Sequence, residues 1–203
     1  MISQIYAISQ PLTLGLFRRW IALSCTVLML AGCASTRSSS DRQHGRLIAQ
    51  HTQKSESFDG FYNVYQVHLT ILKPEVRLAL VDRLAEAQHW ERQKLNFERE
   101  KAIQEMSSQS QVFMSFYSPR AEINDWTQPN SIWRVYMTHN GVRYEGRVQK
   151  APFRKPDIPF LFPHTNRFTS DYLISFNLPS RSLAEGATAI TITSSAGESE
   201  FQF

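Results

Sequence analysis

The chain has 203 residues, with 22 Lys and Arg against 18 Asp and Glu and only two cysteines. The basic excess lies outside the prospective domain. Arg18 and Arg19 precede it, and Arg37, Arg42, Arg46 and Lys54 outnumber Asp41 and Glu56 over residues 34–57, leaving 16 basic and 16 acidic residues in the remainder. That balance argues against a nucleic-acid binder, whose positive charge belongs on the folded part, and the positions of Cys25 and Cys33 leave residues 34–203 without a disulfide, a Cys nucleophile or a thiolate metal ligand.

Arg18-Arg19 opens the first organised stretch, followed by an apolar run from Trp20 to Leu30 and then Ala31-Gly32-Cys33. The run is about half the roughly 20 apolar residues a membrane span needs, and only Ser24 and Thr26 interrupt it, so it lacks the polar face of a core helix. A cationic start, a short apolar segment and small residues at the cut make an export signal. Leu30-Ala31-Gly32-Cys33 resembles the lipobox of bacterial lipoprotein precursors. The resemblance implies cleavage between Gly32 and Cys33, a diacylglycerol on the Cys33 thiol and an acylated amine. Ala34 after that cysteine, where Asp would hold the protein at the inner membrane, implies sorting to the periplasmic face of the outer membrane. The inner membrane's periplasmic face is the alternative. Seventeen uncharged residues precede Arg18, long for such a leader.

Residues 33–57 are expected to be the lipidated cysteine and a flexible tether, because their Ser, Thr, Gln, Arg and His content buries too little to offset chain entropy. The domain is expected over 58–203. Phe61 to Leu72 alternates, with Tyr65, Val67, Leu69 and Ile71 on one parity and Gln66, His68 and Thr70 on the other, which predicts a strand with one buried face and a solvated His68. Pro74 and Glu75 suit a helix start, and with no Gly or Pro before Ser107 a single helix is expected over about 74–107. Its second half, Glu91 to Glu105, is nearly all charged. It reads as a solvated helix with Lys94–Glu98 and Glu98–Lys101 pairs, or as a projecting docking element.

Val112, Met114 and Phe116 alternate with Phe113 and Tyr117, so both faces are apolar and an inner strand is expected. Asn140-Gly141 predicts a two-residue hairpin with His139 facing Val142, Met137 facing Tyr144, Val135 facing Gly146 and Trp133 facing Val148. The segment from Ala151 to His164 is punctuated by Pro152, Pro156, Pro159 and Pro163. It cannot join a central ladder, and its aromatics, among them Phe160 and Phe162, either cap the core or await a partner. Tyr172, Ile174, Phe176 and Leu178 point inward on the next strand, followed by strands at Ala187–Thr193 and Glu198–Phe203. The expected fold is mainly β: an antiparallel immunoglobulin-like sandwich with one long helical insertion, without the usual Cys-Trp-Cys core. The alternative is an α+β fold with the helix across one antiparallel sheet.

The sequence has no Gly-x-Ser-x-Gly, His-Glu-x-x-His, phosphate-loop or dinucleotide motif, and no cofactor is expected. The function expected is a membrane-anchored envelope lipoprotein acting as a non-enzymatic binding or assembly module. Its partners would be the membrane, through Cys33, and an envelope protein. Arg143, Arg147, Lys150, Arg154, Lys155 and Arg167 stand against Glu145 and Asp157, an excess suited to an acidic surface. Arg143, Arg147 and Lys150, with Phe160 and Phe162, are the candidate partner surface. The alternative is an envelope hydrolase or glycan-modifying enzyme using Glu145, Asp157 and Asp171, or an acid–base pair of Asp157 with His164.

Overall fold

The computed structural model describes residues 38–203, so the signal segment and Cys33 lie outside the described residues. The fold is mainly β, with two antiparallel sheets and a set of helices. In chain order the elements are α1 (Ser39–Gln50), β1 (Thr52–Asp59), β2 (Tyr62–Ile71), α2 (Pro74–Gln88), α3 (Arg92–Ser108), β3 (Ser110–Tyr117), β4 (Arg134–His139), β5 (Val142–Glu145), β6 (Arg147–Lys150), α4 (Ile158–Leu161), β7 (Ser170–Phe176), β8 (Thr188–Ser194) and β9 (Gly197–Gln202). One sheet has the order β1-β2-β3-β7-β6 and the other β5-β4-β8-β9.

The inward parity of β2, β3 and β7 meets that of β4, β8 and β9 in one core. Tyr65, Val67, Leu69, Val112, Met114, Phe116, Tyr172, Ile174 and Phe176 contribute from one sheet, and Val135, Met137, Ile190, Ile192 and Phe201 from the other. Trp126 and Trp133 close it, stacked at 4.8 Å, with the Trp133 indole donating to the Ile123 carbonyl at 2.8 Å. A second core covers the opposite face of the five-stranded sheet. There Phe113 and Leu173 meet Ile48 of α1, Val76 and Leu80 of α2, and Ile158, Leu161 and Phe162. Both parities of β3 are therefore buried, as the sequence requires.

The expected tether is corrected over most of its length, because residues 39–50 are helix α1 and 52–59 are strand β1. Tertiary partners supply what composition lacks. His44 and Ile48, one turn apart, are the buried face of α1. The His44 ring donates to the Leu161 carbonyl at 2.7 Å, and Asp41 pairs with the buried guanidinium of Arg83. β1 has an almost wholly polar sequence and is held by its ladder to β2.

The single long helix is also corrected. It breaks at His89, which adopts φ 50° and lets Trp90 donate back to the Ala85 carbonyl at 2.9 Å, a left-handed cap of the kind usually made by glycine. Helix α3 then lies along α2, tied by Arg77–Glu105 at 3.0 Å and Arg99–Asp82 at 2.6 Å.

The Asn140-Gly141 hairpin has the expected register as far as Tyr136 opposite Glu145. Beyond it the expected Trp133–Val148 pairing gives way, because Val148 pairs instead with Ile174 in the other sheet. The chain changes sheets at Gly146, where a Cβ would lie 2.7 Å from Val135 Cγ1 and 2.8 Å from Ile174 Cγ2. Gly146→Val is expected to cost about 1–3 kcal/mol or more through overpacking, read as a lower urea midpoint. An unchanged midpoint would show that the corner has room.

Candidate functional site

Crossing between sheets has a consequence for the loops that follow. β6 delivers Lys150 beside Tyr172 of β7, and the chain then loops through α4 before returning as β7. Between the outgoing and returning segments lies a cleft of about 660 Å³, lined by Lys150, Phe153, Lys155, Ile158, Arg167 and Asp171, among others. Three cations thus converge there that are up to 17 positions apart in the sequence.

Lys150 is the fixed one. Its ammonium donates to the Tyr172 hydroxyl at 3.0 Å and meets Asp125 at 3.1 Å. Burial opposes its charge, but these two partners outweigh it and raise its pKa. Asp125 is held well below the usual carboxylate range, chiefly by the Thr127 hydroxyl and amide. No carboxylate lies within 4.0 Å of Lys155 or Arg167 among the described residues. Burial pushes the Asp171 carboxyl up, against the Ser115 and Thr169 hydroxyls and Lys155.

The structure scatters the expected partner surface. Phe162 is fully buried, its ring stacked on Phe113 at 3.6 Å, and Phe160 is half-buried beneath the Arg83 guanidinium at 3.7 Å. The capping role of the proline loop is the one it adopts. Arg143 lies over the Tyr136 ring in the four-stranded sheet, while Arg147 borders a separate groove beside α2 and α3. Only Lys150 of those five reaches the cationic cleft.

The carboxylates are likewise separated. Glu145 is on β5, and Asp157 is clasped by Arg154 at 2.8 Å and Gln88 at 2.9 Å. Arg154 is the main cause of the lowered Asp157 pKa. His164 therefore does not pair with Asp157. It stacks on His68 at 5.1 Å, and the expectation of a solvated His68 is corrected, since its Nδ1 is buried. Burial lowers His68 and pushes His164 down to about 4.

On that face His68, Ser115 and Asp171 occupy paired positions on β2, β3 and β7. Ser115 is 0% exposed, so its hydroxyl cannot meet a substrate. The two histidines are 96 positions apart, which hid their pairing in the sequence. The one signal was that His68 stood on the parity shared with Thr70, opposite the apolar Phe113.

Among the described residues no cluster of three His, Cys, Asp or Glu has the geometry to hold a metal ion, and no helix is long and apolar enough to cross a membrane. No family model, curated protein or solved structure matches the chain.

Proposed function

We propose that this chain is a lipid-anchored envelope protein acting as a non-enzymatic binding module. Cys33 would be the acylated residue after cleavage at Gly32, and the outer membrane's periplasmic face its home. The alternative home is the periplasmic face of the inner membrane. The anchor rests on Arg18-Arg19, the apolar run and Leu30-Ala31-Gly32-Cys33. Several buried acyl chains make release negligible.

The single observation that carries the binding role is the convergence of Lys150, Lys155 and Arg167 on one cleft. A cleft with cations, an aromatic and small polar groups suits an anionic glycan. Lys155→Glu with Arg167→Glu is expected to weaken retention on immobilised oligogalacturonate at least about tenfold at low salt, where unscreened charges act most strongly, without moving the urea midpoint. Equal retention of both proteins, or retention of neither, would overturn the cleft as the site.

The hydrolase alternative needs two carboxylates about 5–10 Å apart across a cleft. Of its three candidates only Asp171 borders this one. Turnover of an envelope polymer by the purified chain would reject the non-enzymatic reading.

An immunoglobulin-like assignment for the sheets is part of the same proposal. What supports it is strand order. With β2 to β9 taken as A, B, C, C′, D, E, F and G, the sheets read A-B-E-D and C′-C-F-G. The α2–α3 pair is then an insertion between A and B, β1 an added edge strand, and Trp133 the core tryptophan at the entry to C.

A further inference from the structure

The β1–β2 hairpin ends in an aromatic tip that no part of the domain covers. Phe58 is 58% exposed, Phe61 103% and Tyr62 81%, around the turn glycine Gly60 at φ +59°. The ladder between β2 and β3 starts only at Gln66, opposite Tyr117. Of the four β2 residues before Gln66, Val64 and Tyr65 are still held by the domain, through the Ser118 hydroxyl on the Val64 carbonyl at 2.7 Å and the buried Tyr65 ring, so Tyr62 and Asn63 overhang by about 7 Å, at about 3.3 Å per residue.

Register places the cationic cleft at the same end of the sheet. Gln66 pairs with Tyr117, the neighbouring Phe116 with Ser170, and Lys150 with Tyr172. Ser170 and Lys150 both line the cleft. The loop entering β7 also presents Phe168, 64% exposed, with the Arg167 guanidinium 4.7 Å from its ring centre.

The chain leading to the anchor starts on the cleft side. Helix α1 runs from beside α4, where His44 bonds Leu161, to the opposite end of the sheet, where Ile71 donates to the His51 carbonyl. Ile158 and Pro159 of α4 line the cleft. Only six peptide units join Cys33 to Ser39, and they span at most about 20 Å however they are arranged. A domain so closely leashed rests on the headgroups instead of standing clear of them.

We propose that this end of the domain is a membrane-contacting surface and that its occupant is the phospholipid interface itself. Phe58, Phe61, Tyr62 and Phe168 enter the boundary between headgroups and acyl chains, where aromatic rings are favoured. Lys150 is paired with Asp125 and Arg120 with Glu122, so the rings carry the adhesion. The proposal rests on the anchor reading for its leash and on the exposed rings for its contact.

The test places a single thiol at the tip, Phe61→Cys, or at the far end of the sheet, Ser107→Cys, in the processed full chain. Each is labelled with a nitrobenzoxadiazole dye and reconstituted in vesicles of phosphatidylethanolamine and phosphatidylglycerol. The expected result is a blue-shifted emission, quenched by spin-labelled lipid, at position 61 and a water-like emission at 107. Equal, water-like emission at both positions overturns the proposal. So does a tip shielded in cell membranes but water-exposed in pure lipid, which assigns the rings to a protein partner. The mass of the processed chain is read in parallel. Acylated Cys33 with a wet tip sinks the surface and keeps the anchor, whereas an unacylated chain with a shielded tip does the reverse.

Discussion

Phe162→Ala is expected to lower the unfolding free energy by about 3–5 kcal/mol, the usual cost of emptying a large aromatic site in a core. Phe162 is 0% exposed and stacks on Phe113 at 3.6 Å. It shares its core with Ile48, Leu80 and Leu161, so truncation loosens α1, α2 and α4 together. Urea unfolding checks this directly. If Phe162 instead served a partner, the midpoint would be unchanged while binding was lost. Phe160→Ala is the contrast. Its half-buried ring lies at the edge of the same core beneath Arg83, and the loss there is expected to be smaller, about 1–2 kcal/mol.

Acidification supplies the second large effect. His164 is lowered from 6.5 to about 4 by burial and by neighbouring His68. The unfolded chain therefore binds the proton first as pH falls, and stability is lost between about pH 6.5 and 4. A gap of that size is worth about 3 kcal/mol at 1.36 kcal/mol per unit. His68, itself lowered by burial and by Lys54, acts in the same direction, with Glu56 opposing. Asp171 acts in the opposite sense: its raised pKa means stability present at low pH is lost as pH rises through its folded value. His164→Phe keeps the ring packing and is expected to flatten the slope of urea midpoint against pH across that window. An identical slope in the variant would place the acid sensitivity elsewhere.

The elements that could be read from the sequence were those whose signal is local. Asn140-Gly141 sets a two-residue turn, and alternation on either side sets the register through Glu145. Tyr172, Ile174 and Phe176 are buried together, and so are Ile190 and Ile192, because period-two patterning needs no knowledge of the partner strand. The hairpin ends after Gly146, whose amide still donates to the Val135 carbonyl at 2.9 Å; the glycine is required by the approach of Val135, Ile174 and Phe176, residues drawn from both sheets.

Helix α1 left only the short apolar run Leu47-Ile48-Ala49 and strand β1 almost nothing, for a related reason. His44 finds its acceptor 117 positions away, and the polar β1 is ordered by its ladder to β2 and by Gln53 and Ser55, which bond Gln202 and Ser199 of β9. The break at His89 depends on a left-handed cap from a residue that seldom makes one, and its trace was the widened apolar spacing after Trp90. The cleft was visible in part. Its cations form a local excess in the sequence, but Arg143 and Arg147 fall in the same run, because sequence proximity cannot tell which side of a sheet crossing a residue takes.

If Cys33 is the anchor proposed above, a long coil after it would let the domain sample the space beyond the bilayer, whereas a helix beginning at Ser39 would keep the domain close to the surface and give the exposed rings of the β1–β2 turn a physical reason to be exposed.

The most direct measurement is the mass of the amino-terminal peptide of the processed protein taken from membranes. The account expects that peptide to begin at Cys33, its thiol carrying diacylglycerol. A chain that retains residues 1–32, or that begins elsewhere with an unmodified Cys33, would contradict it.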